Sequence, residues 1–121
     1  PHEWEEKDQE FNLAPSGFVG LETSVGAMLT YIYHTGNIDL MTLVHAMSTA
    51  QAKILGLDAG VIAPGKDADL TVLDLDKEWT VDSSKFYSKG KASPFDEMIF
   101  KGKAAATIVN GKIVMKNGEV L

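Results

Sequence analysis

The first half of the chain carries apolar residues at helical spacing. Four of them follow the i, i+3, i+4, i+7 pattern that marks one face of a helix. They are Val25, Met28, Leu29 and Ile32. The pattern predicts a helix over residues 21–34, with His34 in its last turn and Gly36 as a left-handed C-terminal cap.

A second set of apolar residues predicts another helix over residues 38–47, with Asn37 or Asp39 as its N-cap. Its apolar face consists of Leu40, Leu43, Val44 and Met47. Ser48 and Gln51 have the spacing of a capping box, in which each side chain satisfies a backbone N–H near the other residue. We therefore expect a separate third helix over residues 48–55, ended by Gly56.

After residue 63 the apolar spacing changes towards two and turn residues recur, which is typical of strands. Asn110-Gly111 is the strongest turn signal, because a type I′ hairpin needs positive φ at both of its central positions. A second turn is expected at Asn117-Gly118. The predicted strands cover residues 69–75, 78–81, 98–100, 106–109, 112–115 and 119–121.

Residues 1–19 are polar and acidic, with Pro15 and Gly17 as helix breakers, and predict a long ordered loop. A loop of this length in a compact domain is usually functional. His2 at its start, and Ser16 and Gly17 ahead of the first predicted helix, could hold a small polar ligand. From the residues alone, the favoured interpretation of His2 is a solvated histidine near a flexible terminus.

Composition excludes several classes of partner. The 121 residues carry a formal charge of −6, so neither nucleic acid nor a membrane surface is expected to bind. There is no cysteine, which excludes disulfides and thiolate metal sites and fits a cytoplasmic location. No apolar run is long enough for a membrane span or a signal peptide.

Four motifs in the first 23 residues resemble the loop and helix that follow the last barrel strand in the dihydroorotase family of the amidohydrolase superfamily. They are Pro1-His2, Glu5-Glu6-Lys7, Ala14-Pro15-Ser16-Gly17 and Gly20-Leu21-Glu22-Thr23. The family loop opens with Asp-His-Ala-Pro-His, so its aspartate would lie three residues before Pro1. The resemblance extends over nearly the whole chain through residues 60–70, Ser93-Pro94-Phe95 and residues 107–111.

The resemblance implies an α/β chain that holds the last loop and helices of a (β/α)8 amidohydrolase barrel, plus a small C-terminal β-sandwich portion. Residues 1–57 would end the barrel domain, and residues 58–121 would form the β-rich domain. The chain would then be the C-terminal part of a larger enzyme. We expect it to need the N-terminal barrel portion as a partner and to form a homo-oligomer.

The implied activity is that of a zinc-dependent cyclic amidohydrolase that interconverts N-carbamoyl-L-aspartate and dihydroorotate in de novo pyrimidine biosynthesis. By resemblance, His2 binds the substrate carboxylate, and the backbone at Ser16 and Gly17 meets the substrate ring. The three histidines His2, His34 and His45 lack the pairing of a zinc site, so the metal ligands are expected in the barrel portion. We expect this chain alone to bind no zinc and to be inactive.

Two other interpretations stay open. The parent enzyme could be an allantoinase or a hydantoinase, because only Pro1-His2 and Glu5-Glu6-Lys7 favour dihydroorotase over these relatives. Alternatively, the chain could be a non-catalytic assembly module in which a helical hairpin packs on a small sandwich. An Asp-His-Ala sequence directly before Pro1 would decide for dihydroorotase.

Overall fold

The structure is a computed structural model that describes residues 2–121 and combines short helices with one antiparallel sheet. The α-helices are α1 (Trp4–Lys7), α2 (Ser24–Met28), α3 (Leu40–Val44) and α4 (Ala50–Leu55). A π-helical turn, Leu29–Tyr33, extends α2, and a second, His45–Thr49, joins α3 to α4. The strands are β1 (Leu70–Thr80), β2 (Ile99–Val109), β3 (Lys112–Lys116) and β4 (Glu119–Val120), and Ser83–Lys85 form a 3-10 turn.

The four strands are neighbours in chain order, and each pairs antiparallel with the next. The predicted turn between β2 and β3 is confirmed, since Asn110 and Gly111 have φ of 48° and 74°. The residue directly before β1 holds this turn, because the Asn110 N–H donates to Asp69 Oδ1 at 2.7 Å. The predicted turn at Asn117-Gly118 is confirmed in the same way, with φ of 53° and 90°.

The prediction of separate short strands was wrong. Residues 69–75 and 78–81 belong to the single strand β1, and residues 98–100 and 106–109 belong largely to β2. Within β1 the pairing shifts between Asp74 and Glu78. At this irregularity the Asp74 carboxylate accepts the backbone N–H groups of Asp76 and Lys77, at 3.1 and 3.0 Å.

The second and third predicted helices form one continuous helical segment, Leu40 to Leu55, with the π-helical turn in its middle. Asp39 is the N-cap as predicted: its carboxylate accepts the Thr42 N–H at 2.7 Å, which lowers the pKa of Asp39. The capping box was wrong, because the Gln51 amide instead donates to the carbonyl of Ala46 at 3.0 Å. Gly56 ends the segment in the expected left-handed conformation.

The first predicted helix begins later than expected, at Ser24, and packs on strand β2. The Thr30 hydroxyl connects the two elements: it accepts the N–H of Lys101 at 2.9 Å and donates to the carbonyl of Gly26 at 2.7 Å. Residues 1–19 were expected to be loop only, yet they contain the short helix α1.

The core lies between α2, the ends of β1 and β2, and the loop before β2. Its buried residues are Val81, Phe86 and Phe100, with Val19, Ala27, Trp79 and Phe95 packed against them. Residues from both predicted domains therefore contribute to one core, while a boundary near residue 57 stays a prediction.

Gly102 sets the distance between the first helix and the sheet. A Cβ at this position would lie 2.6 Å from Leu29 Cδ1 and 2.8 Å from Leu29 Cβ, and Gly102 has φ of 99°. We expect Gly102→Ala to lower the free energy of unfolding by at least about 2 kcal/mol, through overpacking and backbone strain together. Gly36→Ala is the matched control, because Gly36 has φ of 76° with no atom within 4 Å of a Cβ. Urea unfolding that gave equal losses for both variants would contradict a steric role for Gly102.

Candidate functional site

The three site residues predicted from the sequence lie together. His2, Ser16 and Gly17 line one concavity with a volume of 180 Å³. Its other lining residues are Lys7, Phe18, Val19, Gly90 and Ala92. The site therefore joins the N-terminal loop to a second loop about 75 residues later in the chain.

The His2 ring is held by a neighbouring carboxylate. His2 Nδ1 lies 3.1 Å from Glu6 Oε2, and the Glu3 backbone N–H donates to the same oxygen at 3.1 Å. The hydrogen bond from the Glu3 N–H and, to a smaller extent, the one with the His2 ring lower the pKa of the Glu6 carboxyl. Since Nδ1 is engaged with Glu6, the other ring nitrogen, Nε2, is left to meet a ligand.

Ser16 and Gly17 are exposed, and Gly17 has φ of 95°. No atom comes within 4 Å of a Cβ built at Gly17, so the backbone there is open to a molecule approaching from the concavity. A side chain at this position would be strained, because L residues rarely adopt positive φ. The segment can thus present peptide groups at close range.

The loop that carries Ser16 and Gly17 is fastened to the β-rich half of the molecule. The Val19 N–H donates to the carbonyl of Ala92 at 2.9 Å, and the Phe18 ring meets the edge of Phe95 at 5.9 Å between centroids. These contacts place the N-terminal loop directly over the core.

Glu22 adds a second connection that the sequence analysis did not assign. Its two carboxylate oxygens each accept a backbone N–H at 3.0 Å, one from Tyr87 and one from Ser88. These residues precede Gly90 and Ala92, which line the concavity. The clue in the sequence was that Glu22 belongs to one of the four family motifs.

A larger polar cavity of 490 Å³ adjoins the concavity and shares Lys7, Phe18 and Ala92 with it. It is also lined by Asp8, Ser83, Lys91, Ser93, Pro94 and Asp96. Several of these polar groups are engaged inside the protein: Asp96 accepts the Ser83 N–H at 2.7 Å, and the Lys91 ammonium donates to the Phe86 carbonyl.

An apolar groove of 490 Å³ lies elsewhere, between the two helical segments and the start of β1. The predicted apolar faces of both helices contribute to it, through Val25, Leu29, Leu40, Leu43, Val44 and Met47. Such a lining suits the packing of further apolar side chains rather than the binding of a charged substrate.

The histidines do not converge on a metal site. His34 Nε2 lies 2.8 Å from the carbonyl of Leu75, and His45 is exposed on the second helical segment. Within residues 2–121, no group of three or more His, Cys, Asp and Glu side chains could hold a metal ion. The residues described here therefore do not fit a catalytic zinc, which takes about three protein ligands.

The chain belongs to the amidohydrolase family, which matches residues 12–114. Among curated relatives, the chain is similar to the dihydroorotase of Geobacter metallireducens, with 50% identity over 116 residues, 96% of this chain and 27% of that protein. The dihydroorotase of Acetivibrio thermocellus is 40% identical over 121 residues, 28% of its length. The chain thus spans little more than a quarter of these relatives.

The fold is also similar to that of a solved hydantoinase. The L-hydantoinase (dihydropyrimidinase) from Arthrobacter aurescens superposes with a TM-score of 0.85 and 44% identity, over 89% of this chain and 24% of that chain. In the part of the chain that the structure describes, no helix is both long and apolar enough to cross a membrane.

Proposed function

We propose that these residues form the C-terminal part of a dihydroorotase, a zinc-dependent cyclic amidohydrolase that interconverts N-carbamoyl-L-aspartate and dihydroorotate in de novo pyrimidine biosynthesis. The observation that carries the proposal is the convergence of His2, Ser16 and Gly17 on one concavity. The family match and the identity of 40–50% to curated dihydroorotases support it. The absence of cysteine is consistent with a cytoplasmic enzyme.

In this proposal His2 binds the substrate carboxylate through Nε2, while Glu6 holds Nδ1 and so fixes the ring. The peptide groups at Ser16 and Gly17 contact the substrate ring, and Phe18 and Val19 exclude water from one side of it. Residues 1–57 end a (β/α)8 barrel, and residues 58–121 belong to a β-sandwich. The functional unit includes the N-terminal barrel portion and is a homo-oligomer.

Zinc belongs to this proposal only through the family. When bound, the metal supplies the hydrolytic chemistry, and its ligands lie outside the residues described here, since these bring no ligand group together. The contribution of this chain is then substrate binding, orientation and exclusion of water.

The role of His2 can be tested in a chimera in which these 121 residues replace the matched segment of the Geobacter metallireducens dihydroorotase. We expect His2→Ala to raise KM for dihydroorotate about 10- to 100-fold, because a lost hydrogen bond to a charged group costs about 1.5–3 kcal/mol. Zinc content should not change. Steady-state kinetics and metal analysis measure both quantities.

Dihydrouracil is the matched control substrate, because it has the same ring without the carboxylate. His2→Ala should leave its turnover, however slow, unchanged. Loss of zinc together with loss of activity would show that His2 is a metal ligand. An equal effect on both substrates would show that His2 does not bind the substrate carboxylate.

A hydantoinase or allantoinase is the second candidate, and the 44% identity to the Arthrobacter aurescens L-hydantoinase favours it. His2 distinguishes the two, since a ring substrate without a carboxylate gains nothing from a histidine at this position. A second chimera, built on the hydantoinase, tests this alternative. If the chain comes from a hydantoinase, this chimera should hydrolyse hydantoin and the dihydroorotase chimera should not turn over dihydroorotate, whereas the main proposal expects the reverse.

A further inference from the structure

Lys7 connects two parts of the N-terminal loop. Its ammonium donates to the carbonyl of Pro15 at 2.5 Å and to the carbonyl of Gly17 at 2.6 Å. These two carbonyls lie on either side of Ser16. An ammonium group has three N–H donors, so Lys7 can make both bonds at once and retain one donor.

We propose that Lys7 is the positioning residue of the Ser16–Gly17 segment, and that it fixes the peptide groups which this segment offers to an anionic ring substrate. Because a peptide unit is planar, the Pro15 carbonyl orients the Ser16 N–H, and the Gly17 carbonyl orients the Phe18 N–H. One ammonium thereby sets the N–H groups of two residues that line the concavity. The importance of these donors rests on the function proposed above.

The segment needs such an anchor. Gly17 has no side chain to restrict its backbone, and glycine loses more conformational freedom on ordering than any other residue. Downstream, the segment is fixed by the bond from Val19 to Ala92. Within residues 2–121, the backbone of residues 15–18 takes part in only two hydrogen bonds inside the protein, and Lys7 donates both.

The charge of Lys7 favours the same ligand. Lys7 is half-buried and lines the concavity beside His2. Among the described residues, no carboxylate forms an ion pair with it, whereas His2 is paired with Glu6. The ammonium therefore places a positive charge beside the concavity, and this charge suits a carboxylate-bearing substrate.

The inference can be tested on the 121-residue chain without any substrate. We expect Lys7→Met, which keeps the length of the side chain, to lower the 15N order parameters of Ser16, Gly17 and Phe18 from about 0.85 to below about 0.6. Lys7→Arg should restore at least half of the loss, because a guanidinium can also donate to both carbonyls. Lys53→Met, on an exposed face of α4, is the control and should change none of them.

Signals from the Asn110-Gly111 hairpin report whether each variant is folded. Unchanged order parameters in folded Lys7→Met would overturn the positioning role. In the chimera, Lys7→Met should raise KM for dihydroorotate about tenfold with a smaller effect on kcat, and Lys7→Arg should recover most of it. If the segment loosens while His2→Ala leaves KM unchanged, the proposed function fails and the positioning role stands.

Discussion

Replacing Phe100 by alanine is expected to lower the free energy of unfolding by about 3–5 kcal/mol, the usual cost of emptying a buried aromatic position. Phe100 is 0% exposed. Three aromatic rings meet its ring edge-on, with centroid distances of 5.4 Å to Phe95, 5.5 Å to Trp79 and 5.7 Å to Tyr31. The variant loses these contacts as well as the buried area.

Ile99→Ala is the matched control for this prediction. Ile99 precedes Phe100 in strand β2 and is 68% exposed, so its side chain points away from the core. Its removal should cost less than about 1 kcal/mol. Urea unfolding followed by tryptophan fluorescence measures both variants, and similar losses would mean that the Phe100 cluster is not the centre of the core.

The Phe100 variant should also disturb the concavity. Phe95 contacts Phe100 on one side and Phe18 on the other. We therefore expect that Phe95 moves into the space left by the Phe100 ring. Phe18 then loses part of its contact, and the loop that holds Gly17 becomes less ordered. In the chimera, Phe100→Ala should raise KM for dihydroorotate although it touches no substrate, whereas Ile99→Ala should not.

The second large effect concerns activity. The 121-residue chain alone is expected not to hydrolyse dihydroorotate above a metal-free blank and to retain no stoichiometric zinc after dialysis. The described residues bring no group of metal ligands together. Because enzymes accelerate such reactions by about 10⁶-fold or more, the loss should be complete within the sensitivity of the assay.

The Geobacter metallireducens dihydroorotase serves as the positive control in the same assay, and the chimera shows whether these residues support turnover when the remaining three-quarters is supplied. Turnover or bound zinc in the 121-residue chain would mean that its own side chains form a metal site. It would also contradict the proposal that these residues bind and orient the substrate while the metal ligands lie elsewhere.

Local signals predicted the hairpin turns and the glycines that follow the helices correctly. Gly36, Gly56 and Asn110-Gly111 each adopt the positive φ that their residue types favour. Such features depend on the residue itself, so neighbours in the sequence suffice to find them.

Features that depend on packing were missed. The prediction left residues 76–77 between two separate strands, whereas pairing with β2 keeps β1 continuous through an irregularity. In the same way, the Thr30 hydroxyl fixes the first helix on Lys101, 71 residues away, and no sequence period reveals such a contact.

For the candidate site, the resemblance located His2, Ser16 and Gly17, and the structure adds the residues that complete their surroundings. Gly90 and Ala92 come from a distant loop that carries the family motif Ser93-Pro94-Phe95, but no sequence pattern brought that loop next to His2. The role of the three predicted residues in substrate binding stays a prediction until the His2 variant is measured.

The irregularity at Asp74 has a consequence for solubility. Strand β1 lies at the edge of the described sheet, and eleven flat residues there would offer a template on which strands of other molecules could align. The turn made by the Asp74 carboxylate divides this edge into two short stretches, and Asp76 and Glu78 place further negative charges beside it. Added salt would weaken only the repulsion between these charges. The shift in pairing does not depend on salt, and we expect it to disfavour the alignment of further strands along this edge.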